Sequence, residues 1–309
     1  MDVLTHGLFS YGLAREVIAD HALPVVIAGI LPDLDFIAVL INRETGFFAH
    51  RNKSHSFLTT ILGSLLVAVV YLVTFEVHEH VGTILAITVL AGIYHILFDI
   101  LTSTAIPFAW PFTQRRVKFD VDRSVNPMLV IVSAISIIIL FFSHDNSLQI
   151  TRIYLGLIIL SFFLRFCIKL HMRLKHGDAD PIPTFDPFTW TLVKKEEKEE
   201  RITISWRTIG YFISESEEYS NEYSIKAPIL PLKSPDDVAS YTRTFDIIKN
   251  FFERYNYPLF KCTKNENEQW IVFWYPLEMV AFHRAFGIQL LVDESCDCEW
   301  EFSHQQVNA

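Results

Sequence analysis

Four apolar runs constrain this chain more than any other feature: Phe57–Phe75, Val81–Ile106, Pro127–Phe142 and Ile153–Leu170. Crossing a hydrocarbon core of about 30 Å takes about 20 helical residues, and each run has that length or nearly so. A fifth run, Ala22–Ile41, is less regular and contains Pro24 and the sequence Pro32-Asp33-Leu34-Asp35. With 51% hydrophobic residues and a mean hydropathy of +0.29, the chain belongs to a membrane class rather than to ordinary soluble domains.

Lys and Arg in the short loops set the expected orientation, because the cytoplasmic side keeps the positive excess. Arg43, Arg51 and Lys53 fall in the loop Asn42–Ser56, and Arg115, Arg116, Lys118 and Arg123 fall in Pro107–Asn126. The turns Glu76–His80 and His144–Thr151 lack them. Both basic loops are therefore expected in the cytoplasm, and so is the tail, which follows Lys169, His171, Arg173 and Lys175. The first 41 residues then have to enter and leave on the same side, as a helical hairpin bent near Asp20–Pro24. The N-terminus has no basic n-region or small-residue cleavage site, so it is expected to be retained.

Composition changes past the last run. From His171 to Ala309 there are 15 Lys+Arg against 23 Asp+Glu, an acidic balance that argues against a nucleic-acid partner. DADPIPTFDPFTW reads as an extended, Pro-rich connector, and KKEEKEE as a solvated turn or helix end. ITISWRTIGYFI and WIVFWY read as strands, and Pro235–Tyr255 as a helix opened by Ser234. The expected fold is an α-helical integral membrane domain of four spans plus an N-terminal hairpin, residues 1–176. A small cytoplasmic α+β soluble domain, residues 177–309, follows through a connector at 177–190.

The chemistry lies in the membrane half, where ionisable residues are costly and yet several stand in or beside apolar runs. His95 and Asp99 are four apart in GIYHILFDILTST, which puts them on one helix face. Asp33 and Asp35 lie in the fifth run, His50 and His55 flank Asn52 and Lys53 in AHRNKSHS, and His6 lies in LTHG. The orientation above brings all seven to the cytoplasmic ends of their segments. Mixed imidazole and carboxylate ligands suit zinc, manganese or iron, with zinc or manganese expected here as one or two ions. Such an ion supplies hydroxide at neutral pH; Arg51 would offset charge on a phosphoryl oxygen, and His55 would serve as ligand or proton donor. Singly, each of these residues also fits a hydrogen bonder between helices, and Asp35 could equally bend the hairpin after Pro32. Asp120 and Asp122 are expected to pair with Arg115, Arg116 or Arg123, and Cys296 and Cys298 to be two thiols on one face of a strand.

The order THG, PDLD, HRNKSHS, HILFD followed by TS and a Pro-Phe loop resembles the YdjM-type membrane-bound metal-dependent hydrolases over roughly Met1–Phe119. The resemblance implies an inner-membrane hydrolase whose metal-associated residues are His6, Asp33, Asp35, His50, His55, His95 and Asp99. A site at the cytoplasmic interface would suit a membrane lipid or other amphiphilic phosphoester. Two other readings stay open: a scaffold with a structural metal whose tail recruits a cytoplasmic protein, and a metal transporter. The transporter ranks last because the candidate ligands gather at one side instead of marking a route across.

Overall fold

The computed structural model describes residues 2–35, 37, 52–143, 146–210, 218–224, 232–281, 284–293, 296 and 298–307. The chain forms two compact units, Met1–Ile168 and Lys169–Ala309.

In the first unit, Asp2 caps α1 (Val3–Val17) by accepting from the backbone N–H of Thr5 at 2.9 Å. A 3₁₀ turn, Ala19–His21, leads into α2 (Ala22–Ile30), whose Pro24 lies in the first turn, where a missing N–H breaks no helical bond. A second 3₁₀ segment, Leu31–Asp35, carries the PDLD sequence. The end of the expected hairpin, residues 38–41, lies outside the described residues. α1 and α2 approach closely because a side chain at Gly29 would collide with Ser10.

Among the described residues, three helices are long and apolar enough to cross a membrane: α3 (Phe57–Thr74), α4 (Val81–Ile100) and α6 (Ser147–Lys175). The fourth expected span, α5 (Pro127–Phe142), is apolar but has 16 residues, and at 1.5 Å per residue it reaches only about 24 Å. α4 stops short of the expected Ile106. The Thr102 hydroxyl donates to the carbonyl of Asp99 at 2.8 Å, and Phe119 N–H closes on the carbonyl of Ile100 at 2.7 Å. Those bonds satisfy the helix end, and the chain leaves in an extended loop. Ile138, Phe142 and Phe163 lie on the surface, as lipid-facing residues would.

In that loop the two aspartates take partners that the sequence reading did not name. Asp122 pairs with Arg165 of α6 at 2.9 Å, both almost fully buried, and Asp120 pairs with Lys118 at 3.1 Å. Arg165 lies inside an apolar helix, so its charge requires a buried carboxylate, and Asp122 provides it.

The second unit holds two antiparallel sheets. One runs β1 (Asp180–Pro183), β2 (Thr189–Lys198), β3 (Arg201–Gly210), β4 (Tyr219–Ser224) in that order. The other has five strands: β5 (Pro258–Lys264), β6 (Trp270–Pro276), β7 (Val280–Ala281), β8 (Arg284–Val292) and β9 (Cys298–Gln306). In it β5 pairs with β6 and β6 with β8, while β7 and β9 both pair with β8. Trp190 and Trp274 are fully buried.

Four details differ from the sequence reading. The Pro-rich stretch contributes edge strand β1, and KKEEKEE extends β2 to Lys198 before a turn at Glu199. The helix opened by Ser234 is two, α7 (Pro235–Thr242) and α8 (Asp246–Phe252); Ser234 and Asp237 form the capping box of the first. Cys298 opens β9, whereas Cys296 precedes it at a positive φ of 66° and shares no strand face with it.

Candidate metal centre

Four segments distant in sequence deliver the polar side chains of the first unit to one buried place. α4 presents His95 and Asp99 one turn apart, and the 3₁₀ segment after α2 presents Asp33. The short 3₁₀ turn Lys53–His55, just before α3, presents His55, and α1 presents His6 near its start. A side chain at Gly92 would collide with Ser64, so glycine there lets α3 lie close against α4. One ligand atom from each of Asp33, His55, His95 and Asp99 falls within 4.8 Å of the others. None of the four residues is more than 4% exposed.

The hydrogen bonds orient both central imidazoles. His95 Nδ1 lies 2.7 Å from the carbonyl of Gly29 and must donate to it, because a carbonyl only accepts. In the neutral ring this leaves the Nε2 lone pair facing Asp99 Oδ2 at 3.5 Å and Asp33 Oδ1 at 3.8 Å. A lone pair aimed at two carboxylates is repulsive unless a cation or a proton sits between them. His55 Nε2 faces the same two oxygens, at 3.2 Å from Asp99 and 3.3 Å from Asp33. Its Nδ1 points away, 3.1 Å from Ser54 Oγ and 3.3 Å from Asp35 Oδ2, and the Ser54 hydroxyl donates to that carboxylate.

These spacings suit one ion. Ligand atoms about 2.1 Å from a common metal stand about 3–4 Å apart, which is the range just described. Three buried atoms, His6 Nε2, Asp33 Oδ2 and His95 Nε2, have no hydrogen-bond partner among the described residues. Leaving such atoms unsatisfied costs about 1–3 kcal/mol each, so the donor set fits a bound cation better than an empty core. Burial alone would pull the pKa of His55 down. Its hydrogen bonds to Asp33 and Asp35, with the charges of Asp99 and Asp33, outweigh that effect and raise it.

Six of the seven residues singled out in the sequence meet here, in different positions. Asp33, His55, His95 and Asp99 form the centre. His6 stacks on His95 with ring centroids 3.8 Å apart and holds Nε2 3.5 Å from Asp99 Oδ1. Asp35 lies behind His55, on the nitrogen that faces away from the centre. His50, and Arg51 with its expected role at a phosphoryl oxygen, lie outside the described residues. Sequence reading missed Ser54 and the carbonyl of Gly29. A serine beside a histidine carries no distinctive signal, and a backbone acceptor carries none at all.

Residues 1–172 match the family described as YdjM inner membrane protein; this is more than half of the chain, which belongs to that family. No curated protein and no solved structure matches it at a significant level.

Proposed function

We propose that this YdjM-family chain is a membrane-bound metal-dependent hydrolase that acts on a phosphoester of a lipid or another amphiphile. The observation that carries the reading is the buried Asp33, His55, His95, Asp99 set, in which Asp33 Oδ2 and His95 Nε2 have no hydrogen-bond partner among the described residues.

Asp33, His55, His95 and Asp99 would hold a divalent ion, zinc or manganese by donor type. His6, whose Nε2 lies 3.5 Å from Asp99 Oδ1, would hold a second ion together with Asp99. A bound ion of this kind acidifies a coordinated water and polarises a phosphoryl oxygen. The protein's own part is orientation. The Gly29 carbonyl fixes the tautomer of His95, and Asp35 with Ser54 fixes that of His55. Arg51, adjoining Asn52 in the same segment, would supply the positive charge for a phosphoryl oxygen, and His55, four residues further on, would be the ligand or proton donor.

In this reading α1 and α2 form a hairpin that dips into the membrane, and α3 to α6 are four spans, α5 being the shortest. The metal centre and the second unit lie on the cytoplasmic side, on the strength of the Lys and Arg in the loops. An amphiphile reaches such a site laterally.

Near-complete burial of the four ligands favours a second reading, a structural ion in a closed site that ties α1 and α2 to α3 and α4. One series of measurements separates the two. Elemental analysis of detergent-purified wild type, His95→Ala and Asp99→Ala should find near-stoichiometric metal in the wild type and its loss in both variants. The loaded protein should then cleave a phospholipid, phosphomonoester or phosphodiester. Metal without cleavage of any of the three would move the assignment to the structural ion; no metal in folded wild type after adding zinc or manganese would end both.

A further inference from the structure

The loop between α4 and α5 carries a surface that the metal chemistry does not use. Its tip, residues 107–116, is closed at the base by Ile106 and Val117, which exchange backbone hydrogen bonds at 3.1 and 2.9 Å. The base is fastened to the start of α3, where Phe57 N–H donates to the carbonyl of Phe108 at 2.9 Å and the two rings lie 5.5 Å apart. α3 and α4 are joined by a short turn and run antiparallel, so Phe57 and Ile100 lie at the same end of the pair. The tip is therefore held at the level where two apolar helices end. His55 and Asp99 mark the same level.

The tip has the composition of a membrane interface. Phe112 is 84% exposed, and the sequence from Pro107 to Phe119 contains Arg115, Arg116 and Lys118 but no Asp or Glu. Lys53, from the turn before α3, holds Nζ 5.4 Å from the ring centroid of Trp110. Arg116 and Lys118 are turned inward: Arg116 donates to the carbonyl of Ala105 and to Asn52, and Lys118 to the carbonyl of Ser103. Arg115 and Lys53 are exposed beside the aromatic tip. An aromatic side chain left this far in water at the end of apolar helices gains by entering the headgroup layer, and cations beside it select negative headgroups.

We propose that this tip is an anionic-lipid contact, with Phe112 and Trp110 seated in the interface and Lys53 and Arg115 gathering negatively charged headgroups beside the metal centre. The proposal rests on the membrane placement of α3 and α4, not on hydrolysis.

Trp110 is the first tryptophan of the chain, and the other five begin at Trp190, so the difference between wild type and Trp110→Phe isolates its fluorescence. The full-length protein is reconstituted into phosphatidylcholine vesicles containing an equal fraction of brominated phosphatidylglycerol or brominated phosphatidylcholine. The brominated anionic lipid should be enriched at Trp110 about fivefold for each contributing charge, and quench correspondingly more. Lys53→Gln with Arg115→Gln should bring the two lipids to parity, while His95→Ala should leave the preference unchanged. Equal quenching by both lipids in the wild type overturns the charge selection. Quenching by neither, expected of a protein-facing surface, overturns the lipid contact, and a preference that survives Lys53→Gln with Arg115→Gln overturns the residue assignment.

Discussion

His95 donates its Nδ1 proton to the backbone carbonyl of Gly29 at 2.7 Å, and this bond ties the orientation of a candidate ligand on α4 to the packing of α1 on α2. A methyl group at Gly29 would run into Ser10. Gly29→Ala should therefore cost about 1–3 kcal/mol, the range for overpacking a close contact, and lower metal content by displacing the carbonyl. Adding Ser10→Gly removes the collision and should restore both. Thermal unfolding and metal analysis of the purified variants check this; an unaltered Gly29→Ala would mean that the helices can separate without disturbing His95.

A chelator should destabilise the wild type alone. An ion that binds only the folded chain stabilises it by about 2.7 kcal/mol at a hundredfold excess over Kd. Removing it should lower the unfolding temperature of the wild type and leave His95→Ala and Asp99→Ala where they are. A chelator shift of equal size in all three would place the metal elsewhere.

Asp35 lies 3.3 Å from the Nδ1 of His55, on the side away from the centre, and it accepts from Ser54. Carboxylates in that position orient the imidazole, and their loss typically costs about 10–100-fold in metal affinity. Asp35→Asn should show a loss of that size, smaller than that of Asp99→Ala. Competition titration with a metal indicator measures both, and an equal loss would make Asp35 a ligand.

How much of this was readable in the sequence depends on what each feature needed. The centre was legible because a His or Asp in an apolar run is costly, and because His95 and Asp99 stand four apart on one helix. The apolar helices were legible by length, although the end of α4 was not, since the bonds from Thr102 and Phe119 that close it come from a loop without periodicity. The place of Asp35 behind His55 was hidden, because two carboxylates in a short 3₁₀ segment point where the turn sends them. Strand β1 was masked by Pro181 and Pro183, which cannot donate to a ladder and are tolerated only at an edge. The break between α7 and α8 falls at Arg243–Phe245, where no Gly or Pro announces it.

Arg165 and Asp122 were both visible in the sequence, but nothing in it paired them. Burial pushes the Asp122 carboxyl up, and the Arg165 charge and the Asn126 amide partly offset that. Removing one partner of a buried ion pair costs about 3–5 kcal/mol, because the other charge stays buried. Arg165→Met should lose stability on that scale, and Arg165→Met with Asp122→Asn should recover most of it. Thermal unfolding in detergent tests the pair. Arg165→Met as stable as the wild type would mean that Asp122 is held by its hydrogen bonds alone.

Cys262 and Cys298 in the tail should be slow to react. Burial pushes the Cys262 thiol up to about 11, and burial with the charges of Asp293 and Glu299 does the same for Cys298. Against an ordinary value of 9.0, this leaves about a hundredfold less thiolate at pH 8, and the thiolate is the species that alkylates or binds metal. Iodoacetamide at pH 8 should label Cys262 and Cys298 about two orders of magnitude more slowly in the folded than in the denatured chain, read residue by residue in a mass spectrometer. Cys298→Ser should also leave the bound metal unchanged. Rapid labelling would mean that burial does not hold these thiols protonated, and metal lost in Cys298→Ser would put a second, thiolate metal site in the tail and require that the metal found in the wild type be divided between the two.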